Sequence, residues 1–273
     1  MMKKIFLSAL MLVFTAFAAF SQSKPTVKPN KKQKTETPKS DDNDDNSGDS
    51  WGDWGGRRVV GTGDYVKEMR NVSNFTGVSS TISADIELRQ GATFKVTVEG
   101  QKNILDLVKT DLKDGNLSIT FTKGYSMRTK KAVRVYVEAP NFAYIGLAGS
   151  GNVTVDEGLK GDNLKVNISG SGNINVEKLA YNTLKLDISG SGNVDLGGTA
   201  NQADLTISGS GNLKASDLKV KTVNCRISGS GNMSCYVTKE IDALVSGSGD
   251  IRYGGNPTSV KTKVSGSGEI QAQ

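Results

Sequence analysis

The chain has 273 residues, 36% of them hydrophobic and 23% charged, and its 34 Lys and Arg against 28 Asp and Glu leave a net charge of +6. So mild an excess over such a length does not call for nucleic acid or another strongly acidic partner. The absence of histidine excludes Ser-His-Asp and Cys-His catalysis and the usual zinc sites.

Lys3 and Lys4 precede an apolar run, Ile5 to Phe20, which gives way to Ser21, Gln22 and Ser23. This is the charged, apolar, small-residue order of a secretory signal peptide over residues 1–21, with cleavage expected near Ser21. Retention as an anchor is the alternative, but 16 residues fall short of the roughly 20 that a bilayer span needs. No cysteine stands near this point, so a lipoprotein attachment is not supported.

Residues 22–64 hold almost nothing that builds a core. Lysines at 24, 28, 31, 32, 34 and 39 are followed by aspartates at 41, 42, 44, 45, 49 and 53, which reads as a disordered polyampholyte linker. Trp51 and Trp54 stand out within it; they either dock back onto the folded part or form a small sticky element.

Residues 65–147 read as β-rich. Ile82 to Leu88, Phe94 to Val98, Leu117 to Phe121 and Val133 to Val137 alternate, Asp114, Gly115 and Asn116 mark a turn, and a short helix is expected over Ile104 to Leu107. Lys123, Arg128, Lys130, Lys131 and Arg134 crowd together. They are either a solvated loop between strands or a contact for an anionic glycan or lipid.

Residues 148–273 carry a repeat. A Gly-Ser-Gly corner begins at Gly149, Gly170, Gly190, Gly209, Gly229, Gly247 and Gly266, so the copies lie about 20 residues apart, a period that marks a stacked architecture. Before each corner stand Leu147, Ile168, Ile188, Ile207, Ile227, Val245 and Val264; after it, Val153, Ile174, Val194, Leu213, Met233, Ile251 and Ile270. Polar residues such as Lys165, Asn167, Lys185, Asp187, Asp204, Thr206 and Arg226 fall between the apolar columns, a period of two that means strand. Each repeat then offers two strands around the corner, joined by a looser return such as Asp156 to Asn163 or Gly197 to Gln202.

Parallel pairing of equivalent strands would stack each column at about 4.8 Å, and parallel crossovers are expected to be right-handed. The expected fold is therefore all-β, a right-handed parallel β-helix or solenoid of about 20-residue coils with an irregular β-rich N-terminal cap; the rival is an antiparallel meander. Glycine suits a corner that needs positive φ or close backbone approach. Asn152, Asn173, Asn193, Asn212 and Asn232, replaced by Asp250 and Glu269 in the last two copies, are expected to form a ladder along the rim. The edge of the last strand, near Gln273, predicts protection by a loop or self-association.

A signal peptide, a β-rich lead containing Phe75, Thr76, Gly77 and Val78, then Pro140 before repeated Gly-Ser-Gly-Asn corners, resembles the head GIN domain family of auto-transporter adhesin heads, common in Bacteroidetes. The resemblance covers roughly residues 71–270 and implies a β-helix-like fold with a periplasmic, outer-membrane-surface or extracellular location. It establishes no catalytic residue. No segment able to form a translocating barrel follows Gln273 in this sequence, so self-secretion through the outer membrane is not expected.

The remaining chemistry is sparse. Asp187 and Asp204 sit on adjacent coils two positions out of line, roughly 8 Å apart on ladder and strand spacings, within the roughly 6.5–9.5 Å window of inverting glycosidases. Lysines 165, 185 and 261 share their faces, as on a solvated sheet. Cys225 and Cys235 fall on inward columns on either side of one corner, as buried thiols or a disulfide. Corners with Asp250 or Glu269 are candidate calcium positions, but the nine-residue calcium repeat is absent. The corners also lack the Lys and helix of a phosphate-binding loop. No catalytic, cofactor-binding or metal residue is assigned. The expected function is an exported, non-catalytic module binding a glycan, a matrix component or a partner protein, and the alternative is a polysaccharide hydrolase or lyase.

Overall fold

The computed structural model describes residues 57–273. The expected signal peptide, the expected linker up to residue 56, and Trp51 and Trp54 lie outside the described residues. Strand β1 (Arg57–Val60) falls inside the range read as linker. Val59 is partly buried against the core, an apolar contact that so charged a stretch did not advertise.

The N-terminal part runs β2 (Tyr65–Arg70), β3 (Gly77–Ser80), β4 (Ala84–Gln90), β5 (Lys95–Gln101), α1 (Lys102–Leu105), β6 (Val108–Lys113), β7 (Asn116–Phe121), β8 (Tyr125–Arg128) and β9 (Val133–Ala139). The repeat follows as β10 (Tyr144–Leu147), β11 (Asn152–Asp156), β12 (Leu159–Ile168), β13 (Asn173–Ile188), β14 (Asn193–Ile207), β15 (Asn212–Ile227), β16 (Met233–Gly247), β17 (Ile251–Gly254), β18 (Ser259–Gly266) and β19 (Ile270–Ala272). Every pairing among β10 to β19 is parallel, and the coils form a β-solenoid of about six turns. The meander is thereby excluded.

Register follows the corners. Ile168, Ile188, Ile207 and Ile227 are consecutive Cα partners on the side before the corner; Val153, Ile174, Val194, Leu213, Met233, Ile251 and Ile270 are consecutive partners on the side after it. A shift of one residue would turn these columns outward, which is why the apolar pattern holds the register.

The returns are not loose. Leu159, Leu179, Gly198 and Leu218 pair in line, as do Gly161, Tyr181, Ala200 and Val220, so each coil has a third β side where two strands and a loop were expected. Register shifts at Val176/Leu179, Asp195/Gly197 and Ala215/Lys219 change the distance from corner to third side, and this hid the column from a fixed-period reading. Tyr181 fills that side: it is 5% exposed, and its hydroxyl donates to the Phe142 carbonyl at 2.7 Å.

Burial raises the Tyr181 pKa to about 12. The folded value lies above the unfolded one, so this contribution is whole below about pH 10 and is lost as pH climbs toward about 12. Tyr181→Phe should cost about 1 kcal/mol at neutral pH through the lost hydrogen bond yet flatten the alkaline fall in stability. Urea midpoints measured across that window check both.

The corner glycines act through space. Among the described residues, only Gly266 of these fourteen has φ in the left-handed region. Instead, a Cβ on Gly190 would lie 2.1 Å from the Gly170 carbonyl oxygen, and one on Gly192 would lie 2.3 Å from that of Gly172. Those carbonyls accept N–H bonds from Ser191 and Asn193 of the next coil, at 3.1 and 3.2 Å.

The first coils belong to the same stack, since β3 pairs in parallel with β10, and β4 with β11. The cap covers their outer neighbours: β6 runs antiparallel on β7, and β5 and then β2 lie antiparallel beyond β9. Asp114 and Gly115, at φ 49° and 74°, make the two-residue hairpin turn that twisted strands favour. The helix starts at Lys102, two residues before the expected Ile104, with Lys102 bonded to Asp106 across its one turn. Ile104 and Leu105 are fully buried.

Candidate functional site

Outward faces are where this architecture leaves chemistry, because the inward columns are filled. Strand β10 carries Tyr144 in line with Gly77 and Lys165, and Gly146 in line with Ser79 and Asn167. A Cβ on Gly146 would fall 2.5 Å from the Tyr144 hydroxyl and 2.8 and 2.9 Å from two of its ring carbons. The phenol therefore lies flat along its own strand, over the gap that glycine leaves, and is half-buried.

Asn167 occupies the next coil beside Gly146, and Asp187 the coil after that. These residues, with Ser79, Thr81, Ser169 and Ser189, line a cleft of about 330 Å³. Asn167 Oδ1 is buried and has no hydrogen-bond partner, an arrangement that costs about 1–3 kcal/mol unless something donates to it. An aromatic platform beside an unpartnered acceptor and a carboxylate is suited to a ligand with an apolar face and several O–H or N–H donors.

Another large outward groove, about 540 Å³, is lined by Asp85, Glu87, Arg134, Tyr136, Asn152 and Thr154, and its aromatic ring is already engaged. Lys67 sits 5.2 Å from the Tyr136 ring centroid, the Tyr136 hydroxyl donates to Glu99 at 2.9 Å, and Lys67 pairs with Glu99 at 3.3 Å.

Asp187 and Asp204 stand two positions out of line as expected: Asp187 pairs with Thr206, and Asp204 with Lys185. They do not share a cleft. Asp204 Oδ1 accepts from Asn224 Nδ2 at 2.7 Å, whereas Asp187 opens onto the Tyr144 cleft. Tyr144 and Asn167 were missed by sequence reasoning, although an aromatic two residues before Gly146 and the aligned Asn167 and Asp187 were available as a signal.

The rim ladder forms. Nδ2 of Asn152 donates to Asp85, and Asn173, Asn193, Asn212 and Asn232 each donate to the asparagine one coil before, at 2.8–3.2 Å. Asp85 has only acceptors when ionised and so sets the direction of the row. Asp250 and Glu269 continue it through their backbone N–H groups, at 3.1 and 3.0 Å, and Asp250 Oδ1 is the acceptor for Glu269.

Cys225 and Cys235 are buried free thiols with sulfurs 3.8 Å apart, in contact and far beyond the roughly 2.05 Å of a disulfide. The hydrogen bond to Cys235, followed by burial, pushes the Cys225 thiol well above its ordinary range. Native protein at neutral pH should resist a charged thiol reagent, and both thiols should react once it is unfolded; fast native labelling would contradict the buried pair.

The basic cluster divides. Arg134 faces Asp85 across β9 and β4, Lys131 lies 5.1 Å from the Tyr65 ring centroid, and Lys123, Arg128 and Lys130 flank or belong to β8.

Residues 74–257 match the family described as "Putative auto-transporter adhesin, head GIN domain". A putative adhesin from Bacteroides fragilis NCTC 9343 is 28% identical, with a TM-score of 0.75 over 79% of this chain and 100% of its own. One from Parabacteroides merdae ATCC 43184 is 27% identical, with a TM-score of 0.65 over 80% and 99%. A protein from Parabacteroides distasonis ATCC 8503 titled as a putative lipid binding protein shares the fold at 24% identity and a TM-score of 0.68, over 80% and 100%. Among curated proteins, none matches.

Proposed function

We propose, because this chain belongs to the head GIN domain family of putative auto-transporter adhesins, that it is an exported adhesin-like module that holds a glycan without turning it over. The observation that carries this reading is the Tyr144 ring laid over Gly146 beside the unpartnered Asn167 amide and Asp187. A sugar stacks its C–H face on the ring, donates one hydroxyl to Asp187 and, by turning the Asn167 side chain outward, donates another to its otherwise buried Oδ1. Export rests on the charged and apolar order of residues 3–23; among the described residues, no helix is long and apolar enough to cross a membrane.

A glycan array probed with the purified chain tests the reading. Tyr144→Ala should weaken the retained glycan by about tenfold or more, as for a buried tyrosine anchor. Asn167→Val should also weaken it while raising the melting midpoint, because an orphaned acceptor is removed. Loss of binding with a lowered midpoint would make Asn167 merely structural. Release of sugar that Asp187→Ala abolishes would replace the binding module with a hydrolase or lyase, and binding indifferent to Tyr144→Ala would move the site elsewhere.

A further inference from the structure

The two-stranded ribbon of β1 and β8 stands apart from the large sheet, in parallel register with Arg57 opposite Tyr125, Arg58 opposite Ser126, Val59 opposite Met127 and Val60 opposite Arg128. Bonds between its own strands close both ends, and α1 holds one of them. The Arg57 N–H donates to the Gly124 carbonyl and the Gly61 N–H to that of Arg128, each at 2.8 Å, while Asn103 at α1 donates to the Val60 carbonyl at 2.8 Å. Val59 and Met127 pack against the core, so alternation turns Arg58, Val60, Ser126 and Arg128 outward. Lys123 and Lys130 flank β8 on either side.

Arg57, Arg58, Lys123, Arg128 and Lys130 are all exposed, and none has a carboxylate ion-pair partner among the described residues. Arg57, Arg58 and Arg128 thus share a ribbon about 13 Å long on strand spacing, with Lys123 and Lys130 just beyond the ends of β8. Val60 lies among them, 55% exposed. A hydrated anionic polysaccharide offers such a side chain only the thin C–H faces of its rings, whereas a bilayer offers both phosphate at the surface and apolar depth beneath it. We infer that the β1–β8 ribbon is a docking surface for an anionic lipid bilayer, seating the capped end of the solenoid on phosphate-bearing headgroups. β1 lies outside the family match, which begins at residue 74, and the Tyr144 cleft is not part of it.

The test is co-sedimentation of residues 22–273, acidic block included, with phosphatidylcholine vesicles and with phosphatidylcholine–phosphatidylglycerol vesicles. Binding should require phosphatidylglycerol and fall as salt rises. Combined Arg58→Gln, Arg128→Gln and Lys130→Gln should lower partitioning about a hundredfold, at about fivefold for each basic residue. The equally charged control Lys160→Gln, Lys178→Gln and Lys219→Gln, on the third side, should leave much more of it. Equal binding to both vesicles, equal loss in ribbon and control variants of unchanged melting midpoint, or retention on an acidic polysaccharide but not on vesicles would overturn the inference.

Discussion

Gly192→Ala should destabilise the protein by about 3 kcal/mol, the upper range of forced overpacking, although alanine is the smallest side chain that can be added. Its Cβ would sit 2.3 Å from the Gly172 carbonyl oxygen and 2.8 Å from the Ile168 Cγ2 methyl. Neither neighbour can yield: the carbonyl accepts the Asn193 N–H at 3.2 Å, and Ile168 is buried in the core. Relief requires the coils to part locally, which costs ladder bonds on both sides of the corner. Ser191→Ala, one residue away and exposed, should stay within about 0.5 kcal/mol. Gly115→Ala separates the two reasons for glycine, since it has φ 74° and nothing within 4 Å of the added Cβ; it should cost about 1–2 kcal/mol through backbone strain alone. Urea midpoints for the three variants measure this. Gly192→Ala as mild as Ser191→Ala would mean that close approach is not what the corners require.

Ile207→Ala should cost about 2–5 kcal/mol, as for a large aliphatic deleted from a packed core. Val264→Ala, in the same column, should cost under about 1 kcal/mol because little buried apolar area is lost. Ile207 is fully buried between Ile188 and Ile227, whereas Val264 is 43% exposed beside Val245. Stacked repeats sum local and neighbour terms, so the ratio of the two losses reports how much of a column's stabilisation comes from cover on both sides. Equal losses would mean that Val264 is covered in solution.

The corner columns and the asparagine rim were legible because each is a strict period in the sequence. The third side was not, since register shifts of one and three residues break the period while leaving Leu159, Leu179, Leu218 and Tyr181 inward. The site was half legible. Asp187 was found by its charge and assigned to Asp204 by spacing, but that spacing could not say that Asp204 is held by Asn224 or that Asp187 opens onto Tyr144. The basic cluster shows the same limit: adjacency in sequence joined Lys131 and Arg134 to it, and the fold removed both and added Arg57 and Arg58.

The sequence by itself determined the coil, its period and its inward faces, because apolar alternation and a repeated corner are local patterns that constrain every copy alike. Only the tertiary structure decided why the corners are glycine and where a ligand can sit. Both depend on what the neighbouring coil places within a few ångströms: a carbonyl oxygen where a Cβ would go, and an orphaned amide beside a ring laid over Gly146.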